Sequence, residues 1–464
     1  MLFSAKTVHT NEKGSVLVIS MIFIMVFSAL AVSMAAMSGN NVQLADNQRK
    51  ADLARACAES GFDVIRYWMS RVAISGTTTE AQRFSAIAAS LQNELSGDSI
   101  SNITTSYNGL MITIPNVTLD SGNGYSFSAV ITSLDIDTLR IDVTGCCNSV
   151  TRTIRGTYDF STRGKYAFDF GVATKGPLSL SGNIELEGVN VSVEASVYIE
   201  SESSSLALSI IGNSQIAGDV SIVNPIAYVD LQGGQAGIGG ETGQTAIDNH
   251  VDFGAPETEF PEPVPGQFES YATNIVDSNT NTSLDATYEN IKILANTNPV
   301  FSGQTTLKGI VYIETPNVVE FTGGVDITGI VVGEGDIEDN SGTNKIIFRG
   351  NVSSHPVTEL PQETQFNGLH DQTGTFTIAP GFHVSFGGSF DALCGAIAGN
   401  GVEFFGNAGG IINGSVINYS GDQMTLSGNS DLYFNRSGTT QSPAGFVPEI
   451  ILKYDTGSYS EVIL

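Results

Sequence analysis

The chain has 464 residues, too many for one ordinary core, so two or more domains are expected. Its formal net charge of −28 excludes nucleic acid as a partner, because phosphates need cationic contacts. Only 15% of the residues are charged and Gly numbers 51, a composition that suits strands joined by tight turns.

Lys13 and Gly14 precede an uncharged apolar run over residues 15–37. At about 1.5 Å per residue this run spans roughly 35 Å, enough to cross a bilayer. A secretory signal peptide has a shorter apolar region, of about 7–15 residues, followed by a small-residue cleavage site. The run therefore reads as a retained transmembrane helix. Residues 1–14 read as a leader, and the bulk of the chain is expected outside the cytoplasm.

Residues 38–160 read as an α+β region. Ala54, Ala58, Phe62, Ile65, Met69 and Val72 recur at spacings of 4, 4, 3, 4 and 3, an amphipathic stripe. A helix from residue 15 to about residue 73 would be roughly 90 Å long. Thr77 and Glu80 form a capping-box pattern ahead of a second helix, whose stripe is Phe84, Ile87, Leu91 and Leu95. Residues 110–114, 125–131, 138–143 and 150–158 alternate apolar and polar, as half-buried antiparallel strands do.

Three features together carry a family resemblance: Lys13-Gly14, the run 15–37, and the segment Ala54-Arg55-Ala56-Cys57-Ala58-Glu59-Ser60-Gly61. They resemble the N-terminus of type IV pilus minor pilins, in particular the PilX-like assembly proteins. The resemblance implies that prepilin peptidase cuts between Gly14 and Ser15 and that the new amine of Ser15 is methylated. It implies a single-pass stay in the bacterial inner membrane, then association with other pilins through the helix, at a pilus or the cell surface. Major pilins carry Glu as the fifth residue of the mature chain. That place is Ile19 here, which favours a minor or tip subunit of a type IV pilus or type II secretion-like filament. The alternative is a plain anchor carrying a β-helix adhesin or envelope protein outside any filament.

The rest of the chain holds a degenerate repeat, apolar-x-apolar-x-Gly. Copies include Leu178–Gly182, Val319-Glu320-Phe321-Thr322-Gly323, Ile346-Ile347-Phe348-Arg349-Gly350, Val384-Ser385-Phe386-Gly387-Gly388 and Val402-Glu403-Phe404-Phe405-Gly406. The best-resolved neighbours lie 18 to 22 residues apart, about one coil of a parallel β-helix. The expected fold class is thus mainly β with a long N-terminal α-helix. It combines a pilin-like helix and small antiparallel sheet with a right-handed parallel β-helix over residues 165–440. An antiparallel sandwich rich in Gly turns is the competing reading.

Within that repeat Phe321, Phe348, Phe386 and Phe404 are expected to share one core, with Glu320 and Glu403 facing outward. Asn183, Asn213, Asn351, Asn407 and Asn429 each follow a repeat Gly, where amides can stack in a ladder. Residues 233–298 and 354–374 break the repeat with Pro- and Gly-rich sequence and read as excursions, the first with a short helix over 268–276. Residues 441–464 read as a C-terminal tail.

No HExxH, GxSxG, P-loop or Rossmann segment is present, so neither an enzyme nor a resident cofactor is expected. A glycan-active β-helix enzyme is the remaining alternative, and a surface glycan or a protein is the expected kind of ligand for the head. Glu334, Asp336 and Glu338 would face one side of an extended segment, an oxygen set suited to calcium. His355 and His370 flank a loop. The four cysteines are Cys57, Cys146, Cys147 and Cys394. Adjacent Cys146 and Cys147 point to opposite faces of a strand, so any bridge would join a distant pair, such as Cys57 to one of them.

Overall fold

The computed structural model describes residues 13–97, 103–201, 205–339, 342–436 and 442–462. Most of the expected leader, residues 1–12, lies outside them. The chain divides into two compact units. The first comprises Met1–Ile74, Thr78–Ser161 and Ile451–Leu464, and the second Ser75–Thr77 and Thr162–Ile450.

In the first unit, α1 (Lys13–Arg71) is a helix of 59 residues whose two halves differ in kind. Residues 15–49 are exposed throughout, including Val16, Phe23, Leu30 and Leu44. Beyond them the predicted stripe is buried. Ala54, Ala58, Phe62, Ile65, Met69 and Val72 are all at most 4% exposed. This half packs on a seven-stranded sheet ordered Ala73–Ser75, Glu449–Val462, Val150–Arg163, Thr138–Cys147, Tyr125–Ser133, Met111–Asp120, Ser106–Tyr107. The pairings from Val150–Arg163 through Ser106–Tyr107 are antiparallel.

Alternation along Thr138–Cys147 turns Leu139, Ile141, Val143, Gly145 and Cys147 inward. The helix comes closest at Gly145. A Cβ there would stand 2.1 Å from the Ala54 carbonyl oxygen and 2.2 Å from the Ala58 nitrogen. Only a residue without a side chain lets helix and strand meet at this point. A second helix, α2 (Glu80–Gly97), buries Ile87, Leu91 and Leu95 of its expected stripe and also Ala88, while Phe84 stays half-buried. Its first turn is closed by the Thr79 carbonyl, which accepts from the Gln82 and Arg83 amides, so Thr79 rather than Thr77 stands at its start.

Residues 441–464 are not simply a tail. Glu449–Val462 is a strand of the sheet, hydrogen-bonded between Ala73–Ser75 and Val150–Arg163. Ile450 and Leu452 are buried, and the Tyr454 ring meets Phe62 and Tyr158 at centroid distances of 5.5 and 5.3 Å.

The second unit is a β-helix-like stack of parallel strands in three sheets of 12, 9 and 7 strands. Most successive tiers pair in register, for example Leu180↔Ile210, Phe321↔Phe348 and Phe386↔Phe404, with shifts at Leu206/Leu208, Glu289/Ile291 and Thr375/Thr377. The chain does not climb this stack in simple order. It enters in the middle, where Val172–Thr174 pairs with Val197–Ile199 on one side. It then builds toward one end, finishing at Val251–Phe253. It re-enters at the opposite end with Asn274–Val276 and returns through Ala286–Ile293, Thr305–Ile313, Val325–Gly333, Thr375–Ala379 and Ala396–Gly399. The last tier closes on the first: Val416↔Val172, Met424↔Leu178 and Leu432↔Leu186.

The first excursion is therefore shorter than expected. Ala286–Ile293 is a full strand of the 12-stranded sheet, hidden in the sequence by its polar Thr, Glu and Asn. The helix over 268–276 is instead a 3-10 turn, Pro265–Tyr271, followed by the strand Asn274–Val276. An unforeseen helix, α3 (Gly243–His250), buries Ala246 in the main core at one end of the stack.

Residues 254–273 lie along the outer face of the 12-stranded sheet. Tyr419 donates to the Pro261 carbonyl at 2.6 Å, and Tyr198 accepts from the Thr258 amide at 2.9 Å. Phe268 is buried with Ile310, Ile330 and Ile378. The second excursion adds Val357, Leu360, Phe366 and Leu369 to the same cluster. Both excursions thus cover a sheet face that would otherwise be exposed and apolar.

Inside the stack, Phe301, Phe321, Phe348, Phe386 and Phe404 form a column with centroid spacings of 4.9, 5.0, 5.0 and 5.1 Å. The spacing matches the separation of neighbouring strands, about 4.8 Å. At the corners, Asn213 donates to Asn183 and Asn183 to Asn429, each at 2.9 Å, a three-rung amide ladder. The repeat glycines sit where backbones nearly touch. A Cβ on Gly350 would be 1.9 Å from the Gly323 carbonyl oxygen.

Three outcomes test this packing. Phe348→Ala should cost about 3–5 kcal/mol in chemical denaturation of the second unit, since a buried ring leaves a cavity. Glu320→Ala, on the outward side of the neighbouring tier, should stay within about 0.5 kcal/mol. Gly350→Ala should cost at least about 2 kcal/mol, because the backbone must move to admit a methyl group. In the first unit, Gly145→Val should undock the second half of α1. Trp68, the single Trp and 4% exposed, would report this as a red shift of fluorescence. Unchanged emission and stability for Gly145→Val would refute the close approach.

Candidate functional site

The expected processing point lies near the start of α1, which begins at Lys13. Ser15 and Ile19 are exposed. Among the described residues, only Ser15–Arg71 is a helix long and apolar enough to cross a membrane; its most apolar window has a mean hydropathy of 2.7 and none of it is buried.

The acidic trio does not assemble as expected. Alternation would align Glu334, Asp336 and Glu338 only in an extended segment, and the chain turns here instead. Gly335 has φ +106°, and the Glu338 amide donates back to the Asp336 carboxylate at 3.1 Å. Glu334 accepts from the Thr315 amide at 3.3 Å. Among the described residues, no group of three or more His, Cys, Asp or Glu side chains is placed to share a metal ion.

His355 lies between two carboxylates, 3.3 Å from Asp326 and 3.4 Å from Glu359. His370 is engaged with the Leu360 carbonyl and Gln362, each at 3.1 Å. All four cysteines are free thiols; Cys57 and Cys147 are buried, and burial pushes the Cys57 thiol up.

A groove runs over the outer face of the nine-stranded sheet, and no sequence motif announced it. Its deeper part, about 280 Å3, is lined by Asp339, Asn344, His383, Asn400, Glu403 and Asp422, among others. An adjoining part of about 300 Å3 shares His383 and Glu403 and adds Lys345, Arg349 and Phe405. Strand register sets these groups side by side, with Lys345↔His383, Ser385↔Glu403 and Glu403↔Thr425 as partners. Glu403 was expected to face outward, and it does so as part of this lining.

The groove wall is braced by amides. Asn344 donates to the Asp339 carboxylate at 3.0 Å, and Asn400 donates to the Asp339 carbonyl at 2.8 Å. The Asn400 Oδ1 atom is buried and has no hydrogen-bond partner among the described residues. The Phe405 ring lies across Gly387, with its Cζ 2.5 Å from where a Cβ would stand, and stays half-exposed. His383 sits below the usual imidazole range; burial is the main cause, Glu403 opposes it and Lys345 adds to it. A neutral imidazole offers the groove one donor and one acceptor.

No family model matches the chain, and no curated protein matches it. Among solved structures it is similar to the crystal structure of the competence-associated pilin ComZ from Thermus thermophilus. The two share 11% identity over 89% of this chain and 98% of that one, with a TM-score of 0.23.

Proposed function

We propose that this chain is a non-enzymatic minor pilin or pseudopilin-like subunit. It is held in the bacterial inner membrane before assembly and displays an acidic right-handed β-helix head on a type IV pilus or type II secretion-like filament, for assembly or adhesion. The observation that carries this reading is the division of α1. Its first half is uncharged and exposed over residues 15–37, while its second half is buried on a sheet. A rod with that division needs lipid first and neighbouring apolar helices afterwards, because one chain offers its first half no cover. Parallel register across three sheets supports the β-helix head, and right-handed crossovers are the rule for parallel strands. Prepilin peptidase and other pilins are the partners this reading requires.

Ile19 bears on the place in the filament. A Glu at that position would pair with the N-terminal amine of a neighbouring subunit, and an apolar side chain leaves such an amine unpaired. Burying an unpaired charge is costly. The subunit therefore suits a tip or an initiating complex, at low copy number.

Mass spectrometry of the mature N-terminus tests the reading. The chain should begin at Ser15, with a methylated amine, and Gly14→Glu should block the cut. A chain that keeps Met1, or one cut after Ala36, would leave only a plain anchor. Immunogold labelling should mark filament ends; even labelling along the shaft would contradict the assignment to the tip.

A further inference from the structure

The groove on the nine-stranded sheet has chemistry that the filament reading does not use. Its deeper part offers acceptors, the half-exposed carboxylate of Glu403 and the exposed one of Asp422. Its adjoining part offers the cation Lys345, the Arg349 guanidinium ion-paired with Glu320 at 3.6 Å, and the half-exposed ring of Phe405. A cationic peptide would suit the first part and be repelled by the second. An acidic sugar would suit the second and be repelled by the first. A ligand whose hydroxyls both donate and accept can satisfy both parts. A pyranose ring also presents an apolar C–H face that an aromatic ring can cover. Strand register repeats the lining at about 4.8 Å, close to the length of one sugar unit in an extended chain.

We propose that this groove binds a short linear glycan free of acidic sugars, running across the tiers, with one ring on Phe405 and its hydroxyls on Glu403 and Asp422. The site fills through noncovalent contacts alone. It does not depend on processing of the N-terminus, so it holds or fails apart from the filament reading.

The test uses the full-length chain in detergent micelles, with saturation-transfer NMR on four probes at about 1 mM, the range where single-groove sugar contacts are detectable. The probes are cellotetraose, tetra-N-acetylchitotetraose, tetragalacturonate and tetralysine. Saturation should pass to cellotetraose or tetra-N-acetylchitotetraose and not to tetragalacturonate or tetralysine. Phe405→Ala and Glu403→Gln should each weaken binding by about tenfold, the loss expected for one good contact, at unchanged melting temperature. Glu187→Gln, on the seven-stranded sheet, should leave it unchanged. Three results would each overturn the proposal. They are no transfer to either non-acidic tetrasaccharide, a preference for tetragalacturonate or tetralysine, and binding that survives both groove variants.

Discussion

The second unit depends on one constraint: each strand lies a single interstrand spacing from the same point in the next tier. At about 4.8 Å a side chain has its counterpart as its nearest neighbour, so every register position must suit its own repetition. Flat rings meet this by stacking, which is why five phenylalanines form a column with nearly parallel planes. Amides meet it by donating in one direction and accepting in the other, as Asn213, Asn183 and Asn429 do. At the corner glycines even a methyl group would meet the carbonyl of the tier below. The same rule governs the outer face, where it lines up Lys345 with His383 and Ser385 with Glu403 into a groove.

This stack has two open ends and one apolar outer face, that of the 12-stranded sheet, to manage. The order of the chain addresses both. By starting in the middle, building to one end and returning from the other, the chain carries residues 254–273 over the 12-stranded sheet. That segment covers Tyr198, Tyr419 and the second hydrophobic cluster. The closure of the last tier on the first has a further consequence. Val172–Thr174 and Leu178–Gly182 keep an open edge until residues 416–428 arrive, so completion of the stack awaits synthesis of nearly the whole chain.

In the first unit one helix has two halves of different kind, one exposed and apolar, one packed on a sheet. The stripe from Ala54 to Val72 has small residues where the sheet comes close and large ones where it recedes; Ala54 and Ala58 face Gly145, while Phe62 faces Gly156. Pairing a small helix residue with a strand glycine brings the backbones together, and the cores on either side are filled by Ile141, Val143 and Ile65. The preceding residues 15–37 carry no such pattern: they are apolar on every side and exposed throughout.

Much of this was legible in the sequence, and the limit is a physical one. Local order is written in local spacing. The 4-4-3-4-3 stripe determined which face of α1 is buried, the alternation over residues 138–143 determined which strand residues point inward, and the apolar-x-apolar-x-Gly unit determined that Phe321, Phe348, Phe386 and Phe404 share one column. Partnership between distant segments has no such trace. Nothing near Glu449 says that its strand pairs with Val150–Arg163, and nothing near Val416 names Val172 as its neighbour, because strand pairing depends on backbone groups common to every residue. The acidic trio failed for a related reason: alternation implies a common face only if the chain stays extended, and Gly335 leaves that conformation. The groove lay between the two cases. Arg349, Glu403 and Phe405 occupy outward places that the repeat predicts, Asp339, Asn400 and Asp422 lie on connections between strands, and their convergence required the tiers to be stacked first. The sequence by itself determined the apolar run, the helical face and the repeating core. The order of tiers, the covered sheet face and the groove were decided by tertiary contacts alone.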